Sequence, residues 1–249
     1  MKSRFSRLPR ALVTLMVIAG LSAAEPLPAE VAGDFVPCEI HQRVKVKFPV
    51  RAFNEGLTHG VVLLMLEVDR EGRLGDVLAF AHSGDEFARA ALDAVEQWEF
   101  TPARFGGEPI GSITTINVQF EVSGVTAYTK LIGQPERQPV SGPRYSYRPF
   151  NLSELDRVPK ALSRSSPVYP GEWIRQGRTG AVTIDYFVDE DGHTRFPQVV
   201  GNADELLGAA TVEAVKGWVF EPPLRQGRPV LAQFRQTFYF HPKENDHGA

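Results

Sequence analysis

Cysteine is almost missing from this chain: Cys38 is the only one. No intrachain disulfide can staple the fold, and an odd thiol has two fates, a buried or free thiol or a bond to another molecule. Basic runs are also missing beyond the amino terminus. With 27 Lys and Arg against 30 Asp and Glu the net charge is −3, which argues against a protein that tracks nucleic-acid phosphates. The six histidines, His41, His59, His82, His193, His241 and His247, form no HxH or HxxxH pair, so their spacing supports surface or turn roles over metal ligation. A Gly-x-Ser-x-Gly elbow and a Gly-Lys-Ser/Thr phosphate cradle are absent. No constellation supports an enzyme, and no cofactor or metal is expected.

Long apolar runs are scarce too. Ala11 to Ala24 follows Lys2, Arg4, Arg7 and Arg10 and ends in Ser22-Ala23-Ala24, the order of a cleavable signal peptide. It is shorter than the about 20 residues that a spanning helix needs. Residues 1–24 are therefore expected to export the chain to the periplasm; uncleaved, they would anchor it in the inner membrane.

What the chain does have is a repeat. At a constant offset of 120 residues, Gly60, Val62, Asp69, Gly72, Trp98, Phe100, Pro102 and Phe120 align with Gly180, Val182, Asp189, Gly192, Trp218, Phe220, Pro222 and Phe240. The period is too long for a solenoid array, so each copy should be a small domain with its own core. The expected boundaries are a leader, 25–48, a first domain, 49–122, a Pro-containing linker, 123–160, a second domain, 161–241, and a tail, 242–249.

Each copy spells strand, turn, strand, helix, strand. Val182, Ile184, Tyr186 and Val188 alternate with Ala181, Thr183 and Asp185, as in a half-buried antiparallel strand. Asp69-Arg70-Glu71-Gly72 and Asp189-Glu190-Asp191-Gly192 turn the chain. Return strands are expected over Leu74 to Ala81 and Thr194 to Val200. Phe87, Ala91, Ala94, Val95 and Trp98, and likewise Leu207, Thr211, Ala214, Val215 and Trp218, draw one apolar helical stripe. Ser83 with Glu86, and Asn202 with Glu205, have the spacing of capping boxes. Last strands are expected near Ile113 to Val122 and Ala232 to Phe240. The fold class is α+β: two small β-β-α-β two-layer domains, each a three-stranded antiparallel sheet with a helix on one face. In the linker only Leu152 to Leu155 suggests a short helix.

Ser166-Pro167-Val168-Tyr169-Pro170, Gly180, the Asp191-Gly192 turn, Trp218-Val219-Phe220-Glu221-Pro222 and Gly227-Arg228-Pro229 stand in an order that resembles the carboxyl-terminal domain of the TonB family. The first copy resembles it less fully, with Phe48-Pro49 in place of Tyr169-Pro170 and Trp98-Glu99-Phe100-Thr101-Pro102 intact. The resemblance implies a periplasmic domain, not an enzyme, that takes an extended segment of an outer-membrane transporter beside its last strand. It places docking on Gln233, Phe234, Arg235, Gln236, Thr237, Phe238, Tyr239 and Phe240, with Ser166 and Pro167 as a contact segment where the family often has Gln-Pro. It also implies inner-membrane motor proteins as partners, although no His precedes His41 and the transducing part is not matched. The alternative is a non-energised scaffold of the cell envelope.

Two contrasts complete the reading. Asp189-x-Asp191-Gly192 begins like a calcium loop, but Val200 stands where the bidentate Glu is required, so a plain hairpin is preferred. Opposite the helix-facing residues, copy one has Val61, Leu63 and Met65 where copy two has Ala181, Thr183 and Asp185. Such an aliphatic patch is rarely left open, so the linker, the second domain or a second chain should cover it, the last giving a homodimer through Val61, Leu63 and Met65.

Overall fold

The computed structural model describes residues 35–122, 124–130 and 145–241. The expected signal peptide and tail lie outside the described residues. In the first unit β1 (Phe35–Val36), β2 (Glu39–Gln42) and helix α1 (Val50–Asn54) lead into β3 (His59–Val68), β4 (Leu74–His82) and α2 (Asp85–Val95). Then come β5 (Glu99–Thr101), β6 (Ala103–Phe105), β7 (Glu108–Ile110), β8 (Ser112–Glu121) and β9 (Gly124–Lys130). The second unit runs β10 (Phe150–Asn151), a 3-10 turn at Leu152–Glu154, β11 (Ala161–Ser163), α3 (Gly171–Arg175), β12 (Gly180–Val188) and β13 (Thr194–Val200). It ends with α4 (Glu205–Lys216), β14 (Val219–Phe220), β15 (Leu224–Arg225), β16 (Arg228–Pro229) and β17 (Ala232–Phe240).

Each unit holds the expected three antiparallel strands, β4-β3-β8 and β13-β12-β17, but each sheet has a fourth strand. Both additions come from the segment read as linker. β9 turns straight back along β8 in antiparallel register, from Glu121 opposite Gly124 to Thr115 opposite Lys130. β10 lies parallel to β17 over only two residues, Phe150 beside Ala232 and Asn151 beside Gln233. The leader is also paired: β1 with β6 and β2 with β5, as β11 pairs β14 in the second unit.

The repeated residues are the ones that allow the layers to approach. Gly72 and Gly192 close the hairpins at φ +80 and +89, a region that costs other residues about 1–2 kcal/mol. A Cβ there would also meet the Phe100 carbonyl oxygen at 2.4 Å or that of Phe220 at 2.1 Å. The hairpin glycine and the Trp-x-Phe-x-Pro segment are thus one contact, sealed in the second unit by the Phe220 N–H donating to the Gly192 carbonyl at 2.8 Å. The turn aspartates hold the loops. Asp69 accepts N–H bonds from Glu71 and Arg73, and Asp189 from Asp191 and His193.

The helices bury the expected stripe, Phe87, Ala91, Ala94 and Val95 on α2 and Leu207, Thr211 and Val215 on α4. Their starts differ from the expected capping boxes. The Ser83 hydroxyl accepts the Val61 N–H instead, and Gly84 precedes α2 without a side-chain cap. On α4 the cap is Asp204, which accepts from Leu206 and Leu207 and sits two residues beyond Asn202. β4 runs one residue past the expected Ala81, to His82, which takes Ser83 into the sheet, whereas β13 ends at Val200 as expected. Trp98 and Trp218 lie just past the helices, buried, and donate their indole N–H to the carbonyls of Val44 and Ser165 at 3.0 and 2.8 Å. Cys38 is buried in the first core, where burial pushes its thiol up to about 11, which withholds the thiolate needed for a disulfide with another chain.

The two sheets meet through the faces turned away from their helices. Met65 and Leu78 of the first pack with Phe187, Phe196 and Leu231 of the second, and Phe80, Ile113 and Tyr147 rim the cluster. Burying each large side chain contributes about 1.5–3 kcal/mol. Phe196 reaches this cluster from a left-handed backbone (φ 48) beside a register shift in the β12–β13 pairing, a bulge that re-aims its side chain. Arg195 crosses the junction to the Asp76 carboxylate and donates to the Val77 carbonyl at 2.7 Å. Tyr147, from the former linker, donates to the Glu190 carboxylate and accepts the Leu231 N–H at 2.7 Å. Val61 and Met65 are buried and Leu63 half-buried within the chain. The homodimer surface expected from those three residues is therefore corrected: the linker and second unit take the face that a second chain would need.

Candidate strand-docking edge

β17 has two edges. One is bonded along its whole length to β12, from Gly180 opposite Phe240 to Val188 opposite Ala232, without a register shift. The other carries β10 at Ala232 and Gln233 only. The Phe150 N–H donates to the Leu231 carbonyl at 2.9 Å, so the backbone of Leu231 points to this outer edge. Backbone groups alternate in direction along a strand, which turns those of Gln233, Arg235, Thr237 and Tyr239 the same way. Among the described residues no strand pairs with that edge beyond Gln233.

The side chains give the strand two unlike faces. Toward the helix, Phe234 and Phe240 are buried and Gln236 and Phe238 half-buried. Phe238 lies 5.6 Å from the Trp218 ring and Phe240 5.5 Å from that of Tyr169. Tyr186, a phenol pushed up to about 12 by burial, donates to the Gln236 amide oxygen at 3.4 Å. On the other face Arg235 grips the buried Asp185 carboxylate with two bonds of 2.6 Å, which hold its guanidinium pKa above the ordinary value. Thr237 and Thr183 join hydroxyls at 2.9 Å, while Tyr239 is 73% exposed. These side chains lean on β12, so the strand is held rigid while its outer backbone is presented, an arrangement suited to main-chain pairing.

Ser166 and Pro167 are not part of β17. Trp218 links them to it: the indole that contacts Phe238 holds the carbonyl of Ser165, and the Ser165 hydroxyl donates to Ala214 at the end of α4. Ser166 is exposed and Pro167 half-buried. Near the start of the edge the chain before β11 forms a strap the sequence reading did not anticipate. Asn151 and Glu154 close a capping box, Arg148 holds Glu154 at 2.7 Å, and the Asp156 carboxylate accepts the N–H groups of Gln226 and Gly227 at 2.8 Å. The helical signal at Leu152 to Leu155 was its visible part; Tyr147 and Phe150 carried none.

The first unit has the same edge in a different state. The Val122 N–H donates to the Thr58 carbonyl at 3.1 Å, so the even-numbered backbone of β8 faces β3 and the odd-numbered faces β9. Asn117 and Gln119, the repeat counterparts of Thr237 and Tyr239, stand opposite Tyr128 and Thr126 of β9.

Other chemistry is sparse. The Asp189 carboxylate is used by its own hairpin and by Arg195 Nη1 at 3.2 Å. Among the described residues no three His, Cys, Asp or Glu side chains gather as metal ligands, and no helix is long and apolar enough to cross a membrane.

The model of the family "Gram-negative bacterial TonB protein C-terminal" matches residues 44–122 and again 165–242. Among solved structures, the solution NMR structure of the Pseudomonas aeruginosa TonB C-terminal domain is 26% identical, over 38% of this chain and 94% of its own, with a TM-score of 0.33. The TonB2 protein from Vibrio anguillarum is also 26% identical, over 33% of this chain and 79% of its own, with a TM-score of 0.28. No curated protein matches. The two matched stretches make up more than half of the chain, which therefore belongs to the TonB carboxyl-terminal domain family and carries that domain twice.

Proposed function

We propose that this chain is a periplasmic TonB-like docking protein that takes an extended segment of an outer-membrane transporter as an added strand along Gln233 to Phe240. The supporting observation is the outer edge of β17, where the N–H and C=O groups of Arg235, Thr237 and Tyr239 face outward and no described strand covers them. Main-chain pairing would supply affinity, and the apolar Phe234, Phe238 and Phe240 against the exposed Thr237 and Tyr239 would favour a segment that alternates in the same way. Ser166 and Pro167, held behind Trp218, would flank the incoming strand. Membership of a transducer family makes inner-membrane motor proteins the further partners of this reading, and non-enzymatic binding its activity.

A second reading, a non-energised scaffold of the cell envelope, is favoured by one observation: the first unit's outer face is spent on the second unit, so that copy contributes rigidity. Capture of transporters from an outer-membrane fraction, identified by mass, separates the two when the full chain is compared with Thr237→Pro. The Thr237 N–H points away from β12, so Pro there removes an outward donor and spares the internal ladder. Loss of capture is expected, with no more than the small drop in melting temperature that loss of the Thr183–Thr237 hydroxyl bond brings. Undiminished capture by the variant rules out this edge.

A further inference from the structure

The first unit keeps the docking edge and fills it with its own chain. β8 and β17 are counterparts in the repeat, with the same neighbour on one side, β3 or β12, and the same outward set of backbone groups on the other. β9 lies where the second unit leaves its edge open. It covers seven consecutive positions of β8, and among the described strands β8 is the one its backbone pairs with. A strand held mainly by one edge depends on a single ladder of hydrogen bonds, each with a net worth of about 0.5–1.5 kcal/mol. It can therefore open without the unit unfolding.

We infer that β9 is a resident ligand of the first unit: residues 124–130 act in cis as the added strand, and when they withdraw, the edge at Thr115, Asn117, Gln119 and Glu121 accepts an extended peptide of about seven residues in trans. This rests on the strand-addition reading of β17 but concerns the other edge, so each can fail alone. The chain with β9 seated offers one docking edge, and with β9 displaced it offers two.

Amide hydrogen exchange on the unaltered full chain tests whether β9 opens. The N–H groups of Asn117 and Gln119 face β9, while those of Ile116 and Val118 face β3. If β9 opens alone, the first pair exchanges at least about tenfold faster than the second. Equal protection of the two pairs means that β9 is a permanent strand and overturns the inference.

Acceptance in trans is tested in the full chain carrying Thr126→Pro and Tyr128→Pro, which removes the two donors opposite Gln119 and Asn117. The probe is a blocked synthetic peptide with the sequence of residues 124–130. Its addition should restore protection at Asn117 and Gln119 and shift their amide resonances; absence of any response on β8 overturns the inference. The amides of Arg235, Thr237 and Tyr239 report in the same spectrum whether the peptide also adds to β17. A failure at β17 alone counts against the proposed function and leaves the first edge standing. Should the double variant not fold, the same peptide in excess is added to the unaltered chain, where a shift of the Asn117 and Gln119 amides is expected and absence of any response overturns the inference.

Discussion

Arg195 of the second unit holds Asp76 of the first in a two-pronged ion pair, Nε to Oδ2 at 2.9 Å and Nη2 to Oδ1. The same guanidinium reaches back to Asp189 at 3.2 Å and across to the Val77 carbonyl. Burial alone would lower the pKa of Arg195, but the two carboxylates more than reverse this and hold it above the ordinary value. One side chain thus ties the hairpin of the second unit to the return strand of the first, directly beside the apolar cluster of Met65, Leu78, Phe187, Phe196 and Leu231.

Asp76→Ala should cost about 1.5–3 kcal/mol, the range for a lost hydrogen bond to a charged group, because Arg195 keeps Asp189 and its carbonyl partner and is not left unpaired. Urea unfolding midpoints measure it. A loss below about 0.5 kcal/mol would place the pair with exposed surface ion pairs and remove it as a determinant of how the units sit together.

The hairpin glycines give a sharper contrast. At Gly192 a methyl would face the Phe220 carbonyl at 2.1 Å on a backbone of φ +89, whereas at Gly227, φ +72, nothing lies within 4 Å. Gly227→Ala should cost about 1–2 kcal/mol from the left-handed backbone alone. Gly192→Ala adds a backbone clash that cannot relax by turning a side chain, so its melting temperature should fall well below that of Gly227→Ala. Equal losses would show that the contact between the hairpin and the Trp-x-Phe-x-Pro segment does not bear on stability.

These glycines also show what the sequence made legible. A residue that recurs at the same offset beside an aspartate marks a turn, and helical stripes at steps of three and four mark the buried helix faces; both depend on local spacing. The junction of the units depends on it less. Asp76 and Arg195 are not counterparts in the repeat and no spacing relates them. Phe187 was a readable signal, because it shares the parity of Ala181, Thr183 and Asp185 and places an aromatic ring on a face that those three residues mark as polar. The fourth strands were hidden for another reason: β10 is two residues long, and pairing by β9 is a choice between edges that composition does not encode. The docking edge itself was legible as a strand; which side of it stays uncovered was not.

His82 supplies the prediction in pH. Its ring is buried, stacks on Tyr147 at 4.7 Å, and leaves Nδ1 without a hydrogen-bond partner. Burial lowers its pKa from 6.5 in spite of the nearby Asp85, Glu190 and Glu86 carboxylates, which pull the other way. A histidine depressed on folding binds its proton more weakly in the native state. Above 6.5 it is neutral in both states and the stability is fully present. As the pH falls below 6.5 the unfolded chain protonates first, and stability declines until the folded value is reached, by at most about 1.4 kcal/mol per pH unit. The depressed carboxylates Asp69, Glu154 and Asp156 act lower, below their ordinary values of 3.8, 4.5 and 3.8, which leaves the upper part of the His82 window free of them. The other described histidines, His41, His59, His193 and His241, are exposed. His82→Phe keeps a ring against Tyr147 and removes the titrating group. Urea midpoints of the two proteins between about pH 7 and about pH 5 should therefore show a slope in the parent chain that flattens in the variant. An identical slope in both would assign the acid sensitivity of this junction to a group other than His82.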